Sequence, residues 1–146
     1  MPQQTPPSNA MIITGRILLA LYFLLPGLMK FVAIPAHVAM METHGIANAM
    51  PLLLIAGVAQ VIGALLLLTN RFVRFAAIGC VAYILVINGL MHDFWNFTGI
   101  KAAHETQNFI KNLGILAGVL VLAGISPWRK PSLKGLMMSD AKALAA

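Results

Sequence analysis

The stretch "MPLLLIAGVAQVIGALLLLTNRFVRFAAIGCVAYILVINGLM", residues 50–91, decides the fold. It contains two apolar runs, at about 50–69 and 72–91, and each is close to the ~20 residues that an α-helix needs to cross a ~30 Å hydrocarbon layer. Asn70 marks a tight turn between the two runs. Because the connection is so short, the two helices are predicted to pack as an antiparallel pair.

Two further apolar runs, at 10–34 and about 109–125, have the same character. Pro35 is predicted to stop the first run, and Pro127 the last. No sustained alternation of polar and apolar residues competes with the helices. The predicted fold class is therefore all-α, an integral membrane four-transmembrane-helix bundle.

The composition supports membrane residence. Of the 146 residues, 60% are hydrophobic and 10% are charged, whereas a soluble domain is about half apolar and about a quarter charged. The net charge of +6 could indicate nucleic-acid binding in a soluble protein. Here the basic residues lie mainly between and after the apolar runs, which indicates membrane orientation and no nucleic-acid partner.

The sequence divides into three parts. Residues 1–9 are predicted to form a disordered polar lead, residues 10–126 a single four-helix membrane domain, and residues 127–146 a basic cytoplasmic tail. The turn after the second run contains Arg71 and Arg74, and the tail adds four more basic residues: Arg129, Lys130, Lys134 and Lys142. By the positive-inside rule, both termini are predicted to be cytoplasmic, in a bacterial inner (plasma) membrane.

Two linkers are predicted to lie on the outer side. Residues 34–50 are long enough for a short interfacial helix that ends at Gly45, and residues 92–108 separate the third and fourth spans. Small residues on the spans are candidates for contact with a partner helix. They are Gly57, Ala64, Gly79 and the pair Gly114 and Gly118.

The few polar residues of the spans follow helical spacing. Asn88, His92 and Asn96 are spaced i, i+4, i+8, which predicts one shared face of the third helix. Three residues on the fourth helix follow a similar pattern, and Lys30 ends the first helix at the same depth. They are Glu105, Asn108 and Asn112, with Lys111 beside them. An intramembrane charge normally faces the bundle interior, so the sequence predicts one shared polar pocket at the outer membrane edge.

Each of these residues also has a structural interpretation. Trp95 can belong to an interfacial aromatic belt, and His92 can cap a helix end. Lys111 can form an ion pair with Asp93 or Glu105. Gln60, in the middle of the second span, can make a single interhelical hydrogen bond.

Two chemistries fit a pocket of this composition. A metal or haem would use several histidines, but no HxxxH or HExxH spacing occurs, so no metal site is predicted. A quinone needs hydrogen-bond donors at its carbonyls and a route for protons. His92 and Lys111 can donate, His92 with Asp93 can relay protons, and an aromatic wall can hold the ring. The sequence has no flavin, nicotinamide or haem motif, and one cysteine, Cys80, excludes a dithiol relay.

Four segments resemble the DoxX family of small four-helix membrane proteins, and the resemblance runs from about residue 15 to residue 124. The segments are "GRILLALYFLLPGLMKF" (15–31), "AGVAQVIGALLLL" (56–68), "HDFWNF" (92–97) and "FIKNLGILAG" (109–118). The family takes its name from a subunit of an archaeal thiosulfate:quinone oxidoreductase, and other members are linked to oxidative stress. The resemblance carries over polar positions Arg16, Lys30, His92, Asp93, Lys111 and Asn112. Two positions depart from the family: Gln60 stands where Glu is usual, and Pro26 where a small residue is common.

The residues and the resemblance together predict a redox-associated membrane protein that binds quinone or quinol near the outer interface, as a subunit or partner of an oxidoreductase. His92 and Asp93 are the candidate catalytic residues. The candidate ligand-binding residues are Lys30, Asn88, Trp95, Lys111 and Asn112, and the supporting polar residues are Arg16 and Gln60. A partner membrane or redox protein would supply electrons, and the chain could also form a homo-oligomer. Alternatives are a non-catalytic structural or assembly subunit and a small-molecule transporter.

Overall fold

The structure, a computed structural model, describes residues 10–145, so the predicted polar lead lies outside the described residues. Its elements are helices and one 3-10 turn, Phe94–Asn96, with no strand among the described residues. The helices are α1 (Ala10–Val32), α2 (Ile34–Thr43), α3 (Ala49–Leu68), α4 (Val73–Met91), α5 (Gly99–Ile125), α6 (Leu133–Leu136) and α7 (Asp140–Ala145).

Four of these helices, α1, α3, α4 and α5, are long and apolar enough to cross a membrane. Large apolar side chains cover the outside of the bundle; Ile55 is 66% exposed and Val121 63%. The interior contains fully buried small residues, such as Ala20, Ala64 and Ala77, beside larger apolar side chains. Such an apolar surface is suited to contact with lipid rather than with water. The prediction of an all-α integral membrane bundle is therefore confirmed.

The two ends of the bundle are named here by the chain segments that lie at them. We call the end where α1 and α4 begin and α3 and α5 end the terminal end, and the opposite end the loop end. The short connection between α3 and α4 lies at the terminal end and contains Asn70 in the left-handed conformation, with φ 55°. The Arg71 N–H donates to the Leu66 carbonyl (2.9 Å) and the Asn70 N–H to the Leu67 carbonyl (3.2 Å), the pattern of a Schellman motif. The predicted tight turn is therefore confirmed.

Neighbouring helices pack in the order α1, α3, α4, α5, while α1 and α5 touch only sparsely. The contact between α1 and α3 is close because both helices have glycine there. A Cβ atom on Gly27 would lie 3.2 Å from the Gln60 Cβ, and one on Gly57 would lie 2.8 Å from the Phe31 ring. Gly57 and the buried Ala64 thus pack inside this bundle, which corrects the prediction that they face a partner helix.

At the loop end, α5 extends beyond its apolar run, and the predicted stack of three residues on α4 is wrong. Helix α5 begins at Gly99, ten residues before its apolar run at about 109, and its first residues, 99–108, are largely polar. Helix α4 ends at Met91, so Asn88 alone of the predicted stack lies on the helix. The chain leaves the helix there because Asp93 starts a 3-10 turn, in which its side chain accepts from Asn96 Nδ2 at 2.7 Å.

The described part of the tail folds back on the terminal end. Asp140, 3% exposed, accepts hydrogen bonds at 2.9 Å from the backbone N–H groups of Phe72 and Val73. These donors begin α4 and have no partner within the helix. Arg129 Nη1 donates to Asp140 Oδ1 at 2.6 Å, and its guanidinium lies 4.6 Å from the Phe72 ring centroid. The tail therefore caps α4 through a buried ion pair.

We expect Asp140→Ala to lower the free energy of unfolding by about 3 kcal/mol, because it removes the carboxylate partner of Arg129 and leaves the first N–H groups of α4 without an acceptor. Thermal unfolding in one detergent checks this. The control is Glu42→Ala, which removes an exposed carboxylate. Equal losses of stability in the two variants would contradict the role of Asp140 as a cap.

Candidate functional site

The most buried cation–amide contact in the bundle joins α1, α3 and α4. Lys30 Nζ donates to Gln60 Oε1 at 2.8 Å, and the Tyr83 hydroxyl donates to the same oxygen at 3.1 Å. The Lys30 ammonium also lies 5.8 Å from the centre of the Tyr83 ring. We call Lys30, Gln60 and Tyr83 the lysine site.

The lysine site has more donors than acceptors. A lysine ammonium can donate three hydrogen bonds and accept none, so the Gln60 atom that faces it must be the oxygen. Among the described residues no carboxylate lies within 4.0 Å of Lys30, and the Gln60 amide nitrogen has no hydrogen-bond partner. One amide oxygen therefore serves the three donors of Lys30 and the Tyr83 hydroxyl, so the lysine site is suited to a ligand that brings further acceptor oxygens.

A cavity of about 280 Å³ adjoins the lysine site between α3 and α4. Gln60 and Tyr83 line it together with Phe23 and the buried Cys80. The lining also includes residues on the lipid-facing surface, such as Ile62 and Gly79, so the cavity opens toward the hydrocarbon. We call this cavity the Gln60 pocket.

A second group of polar side chains forms hydrogen bonds within the protein, mainly with one another. The Tyr22 hydroxyl donates to Asn112 Oδ1 (2.7 Å), Asn112 Nδ2 donates to Asn88 Oδ1 (2.8 Å), and Asn88 Nδ2 donates to the Phe109 carbonyl (3.3 Å). These linked hydrogen bonds, which we call the asparagine chain, connect α1, α5 and α4 in the bundle interior. The structure brings Asn88 and Asn112 together as predicted, and it places them in a helix-to-helix contact.

Two imidazole–carboxylate pairs occupy the loop end. His92 Nδ1 lies 2.8 Å from Glu105 Oε2, and His44 Nδ1 lies 2.6 Å from Asp93 Oδ1. His92 and Asp93 are neighbours in sequence, yet each pairs with a different element. Sequence reasoning left His44 out of the site because it lies in the distant connection between α2 and α3, and only its predicted position on the outer side pointed to it.

The remaining predicted residues lie apart from the lysine site. Lys111 is exposed and donates to Asn108 Oδ1 at 3.0 Å, one turn away on the same helix. Trp95 is exposed and packs edge-on against Phe94, within an aromatic group that includes Phe109. Arg16 donates to the carbonyl oxygens of two residues at the terminal end, Leu67 and Leu68.

The predicted site residues therefore belong to separate hydrogen-bonded groups, and their binding of a common ligand stays a prediction. The long side chain of Lys30 runs inward along α3 to Gln60, while Lys111 lies on the outer surface of α5. The polar residues instead form the lysine site, the asparagine chain and the two histidine pairs. Within the described part of the chain, no group of three or more His, Cys, Asp or Glu side chains is placed to hold a metal ion.

These features define a small helical integral membrane protein with several polar side chains buried between its helices. The DoxX family model matches residues 11–93, and the chain belongs to the DoxX family. The inner membrane protein YphA of Escherichia coli (strain K12) is 29% identical over 117 residues, which cover 80% of this chain and 84% of that protein. No solved structure matches the chain significantly.

We expect Asn112→Ala to lower the free energy of unfolding by about 1 kcal/mol, because it leaves the Tyr22 hydroxyl and the Asn88 amide oxygen unpaired among apolar helices. Thermal unfolding in detergent measures the loss. Asn108→Ala, which removes a half-buried amide whose hydrogen-bond partners all lie on α5, should change stability much less. A larger loss for Asn108→Ala would show that the asparagine chain does not hold the helices together.

Proposed function

We propose that this protein binds the head group of a quinone or quinol in the Gln60 pocket, as a membrane subunit associated with a redox system. The observation that carries the proposal is that the Gln60 amide has a hydrogen-bonded oxygen and an unpaired NH₂ group. Lys30 and Tyr83 occupy its oxygen, which leaves its NH₂ group as a donor beside an apolar cavity. A quinone carbonyl is an acceptor that brings no donor of its own, so the two groups are complementary.

The shape of the pocket supports the same ligand class. Its volume of about 280 Å³ is close to the ~300 Å³ lower limit of ligand pockets, which suits one substituted ring without its tail. The mouth faces lipid, where an apolar tail can remain. Phe23 and Tyr83, whose ring centres are 6.3 Å apart, offer aromatic surface to the ring.

The positive charge of Lys30 makes the Gln60 NH₂ group a stronger hydrogen-bond donor. Lys30 is not itself among the residues that line the pocket, but its hydrogen bond to Gln60 Oε1 polarises the amide. Within a medium of low dielectric constant, such linked hydrogen bonds reinforce one another. A carbonyl oxygen bound at the Gln60 NH₂ group would therefore accept a stronger hydrogen bond than an isolated glutamine could donate.

Protons and electrons would come from elsewhere. The histidine pairs, with His92 and Asp93, can exchange protons with water at the loop end. Among the described residues no hydrogen bond links either pair to Gln60. We therefore assign this chain the role of holding the quinone, while a partner membrane or redox protein carries out electron transfer.

A second candidate function is that of a structural or assembly subunit. The observation that favours it is the asparagine chain, because its side chains form hydrogen bonds that link α1, α4 and α5. In that role the protein would bind a partner chain and no small ligand.

The quinone proposal predicts a steric effect at Gly79, which lines the mouth of the pocket on α4. Gly79→Leu should reduce the affinity of the purified protein for a short-tailed benzoquinone about tenfold, by filling the space of the ring. The matched control is Gly89→Leu, on the exposed surface of the same helix, with open space around it. Binding is measured by titration in nanodiscs, together with extraction of bound quinone.

Gln60→Leu provides a second arm, since it removes the donor and should also weaken binding about tenfold, the effect of one lost hydrogen bond of about 1.4 kcal/mol. Gln107→Leu, which replaces an exposed glutamine, is its control. Unchanged affinity in both Gly79→Leu and Gln60→Leu would exclude the Gln60 pocket. Absence of any quinone binding, with a partner chain retained, would favour the structural subunit.

We also propose an inner-membrane location, as the name of the relative YphA indicates for that protein, with both termini in the cytoplasm. The excess of basic residues at the terminal end supports this orientation. In a Cys80→Ala background, Lys101→Cys should react with a membrane-impermeant maleimide on spheroplasts, and Lys134→Cys only after permeabilisation. The opposite pattern of labelling would reverse the orientation.

A further inference from the structure

A long groove separates α1 from α5 at the terminal end of the bundle. Its volume is about 800 Å³, and its lining comes from residues 11–22 of α1 and 115–125 of α5. Each of these two segments has eleven or twelve residues and so extends about 17 Å along its helix axis. That length is close to half of a ~30 Å hydrocarbon layer. The groove therefore runs through a single leaflet, the one at the terminal end.

Nearly all of the lining is apolar, and among the described residues that form it only Arg16 is charged. Arg16 Nη1 donates to the carbonyls of Leu67 and Leu68, in the last turn of α3. These bonds hold the guanidinium level with the turn between α3 and α4, where hydrocarbon gives way to head groups. Nε and Nη2 of Arg16 have no hydrogen-bond partner among the described residues.

The positive charge around Arg16 exceeds the negative charge that the protein supplies there, although Asp140 is near enough to attract the Arg16 guanidinium. The chain has four acidic residues, and only Asp140 lies at the terminal end. Asp140 is already engaged with Arg129 and the start of α4. Further basic residues, among them Arg74 and Lys130, lie at the same end, so the head-group region there is strongly positive.

We propose that the groove between α1 and α5 binds an anionic phospholipid of the leaflet at the terminal end. One acyl chain lies along the groove, and the lipid phosphate accepts hydrogen bonds from the free Nε and Nη2 of Arg16. A guanidinium presents these two donors side by side, the geometry that matches two phosphate oxygens. The site is separate from the Gln60 pocket, which lies between α3 and α4, and does not depend on quinone binding.

The depth of the groove favours a lipid over a protein helix. A transmembrane partner helix crosses both leaflets and is 10–12 Å wide, whereas this groove extends through about one leaflet. A partner helix would also leave Arg16 without an anion unless it brought a carboxylate to that depth. An anionic lipid supplies an apolar chain and a phosphate at the required separation.

The test uses the full-length protein, delipidated in detergent and titrated with phosphatidylglycerol or phosphatidylcholine of identical chains, with binding measured by native mass spectrometry. We expect phosphatidylglycerol to bind about tenfold more tightly. Arg16→Gln should remove this preference. Lys130→Gln, which neutralises an exposed charge outside the groove, should retain it.

A matched pair of glycine variants tests the groove independently of Arg16. Gly118 lines the groove, where an added Cβ would lie 3.8 Å from Leu19, whereas Gly114 is one turn away on α5, outside the lining, with open space around it. Gly118→Leu should weaken binding of both lipids about tenfold, and Gly114→Leu should leave it unchanged. Water-soluble glycerophosphoglycerol should not compete, because it has no acyl chain to occupy the groove.

Three results would overturn the proposal. Equal affinity for the two lipids would remove the role of Arg16 and its charge. Identical binding by the Gly118→Leu and Gly114→Leu variants would place the lipid elsewhere. A dimer that Gly118→Leu dissociates, with lipid binding intact, would show that a second copy of the chain covers the groove.

Discussion

The hydrogen bond from the Lys30 ammonium to the Gln60 amide oxygen, 2.8 Å long, ties the polar interior of this protein to the packing of its helices. It can form because α1 and α3 approach closely at Gly27 and Gly57, where side chains would collide. A lysine at this depth is costly in lipid, so it constrains α1 to one rotation and one height against α3. The orientation of the Gln60 amide, and with it the polarity of the Gln60 pocket, depends on that constraint.

The other polar side chains fall into two classes, according to whether any of their hydrogen-bond donors lacks an acceptor. The asparagine chain of Tyr22, Asn88 and Asn112 connects three helices, and Asp140 fastens the tail to α4. In contrast, the Gln60 amide nitrogen and two nitrogens of Arg16 keep donors that no described residue satisfies. In a membrane such donors are expensive, and this cost is why they indicate ligands that carry oxygen atoms.

Hydropathy predicted the spans well where the helix and the apolar run coincide. The pair α3 and α4, with Asn70 between them, has nearly the predicted limits, because hydrocarbon thickness sets helix length and a left-handed residue suits the turn. The apolar run of α5 starts ten residues after the helix does, since the first turns of the helix, from Gly99, are largely polar. A hydropathy count finds the lipid-facing part of a helix and not the helix itself.

By itself the sequence determined that the chain is a four-helix membrane bundle and which residues carry polar chemistry, because the bilayer demands long apolar helices and makes every charge conspicuous. The partners of those residues were decided only by the tertiary structure. Lys30 belongs with Gln60 rather than with Lys111, and Asp93 with His44 rather than with its neighbour His92. Helical spacing relates residues within one helix, whereas these contacts depend on how each helix is rotated and how far it is shifted against the next.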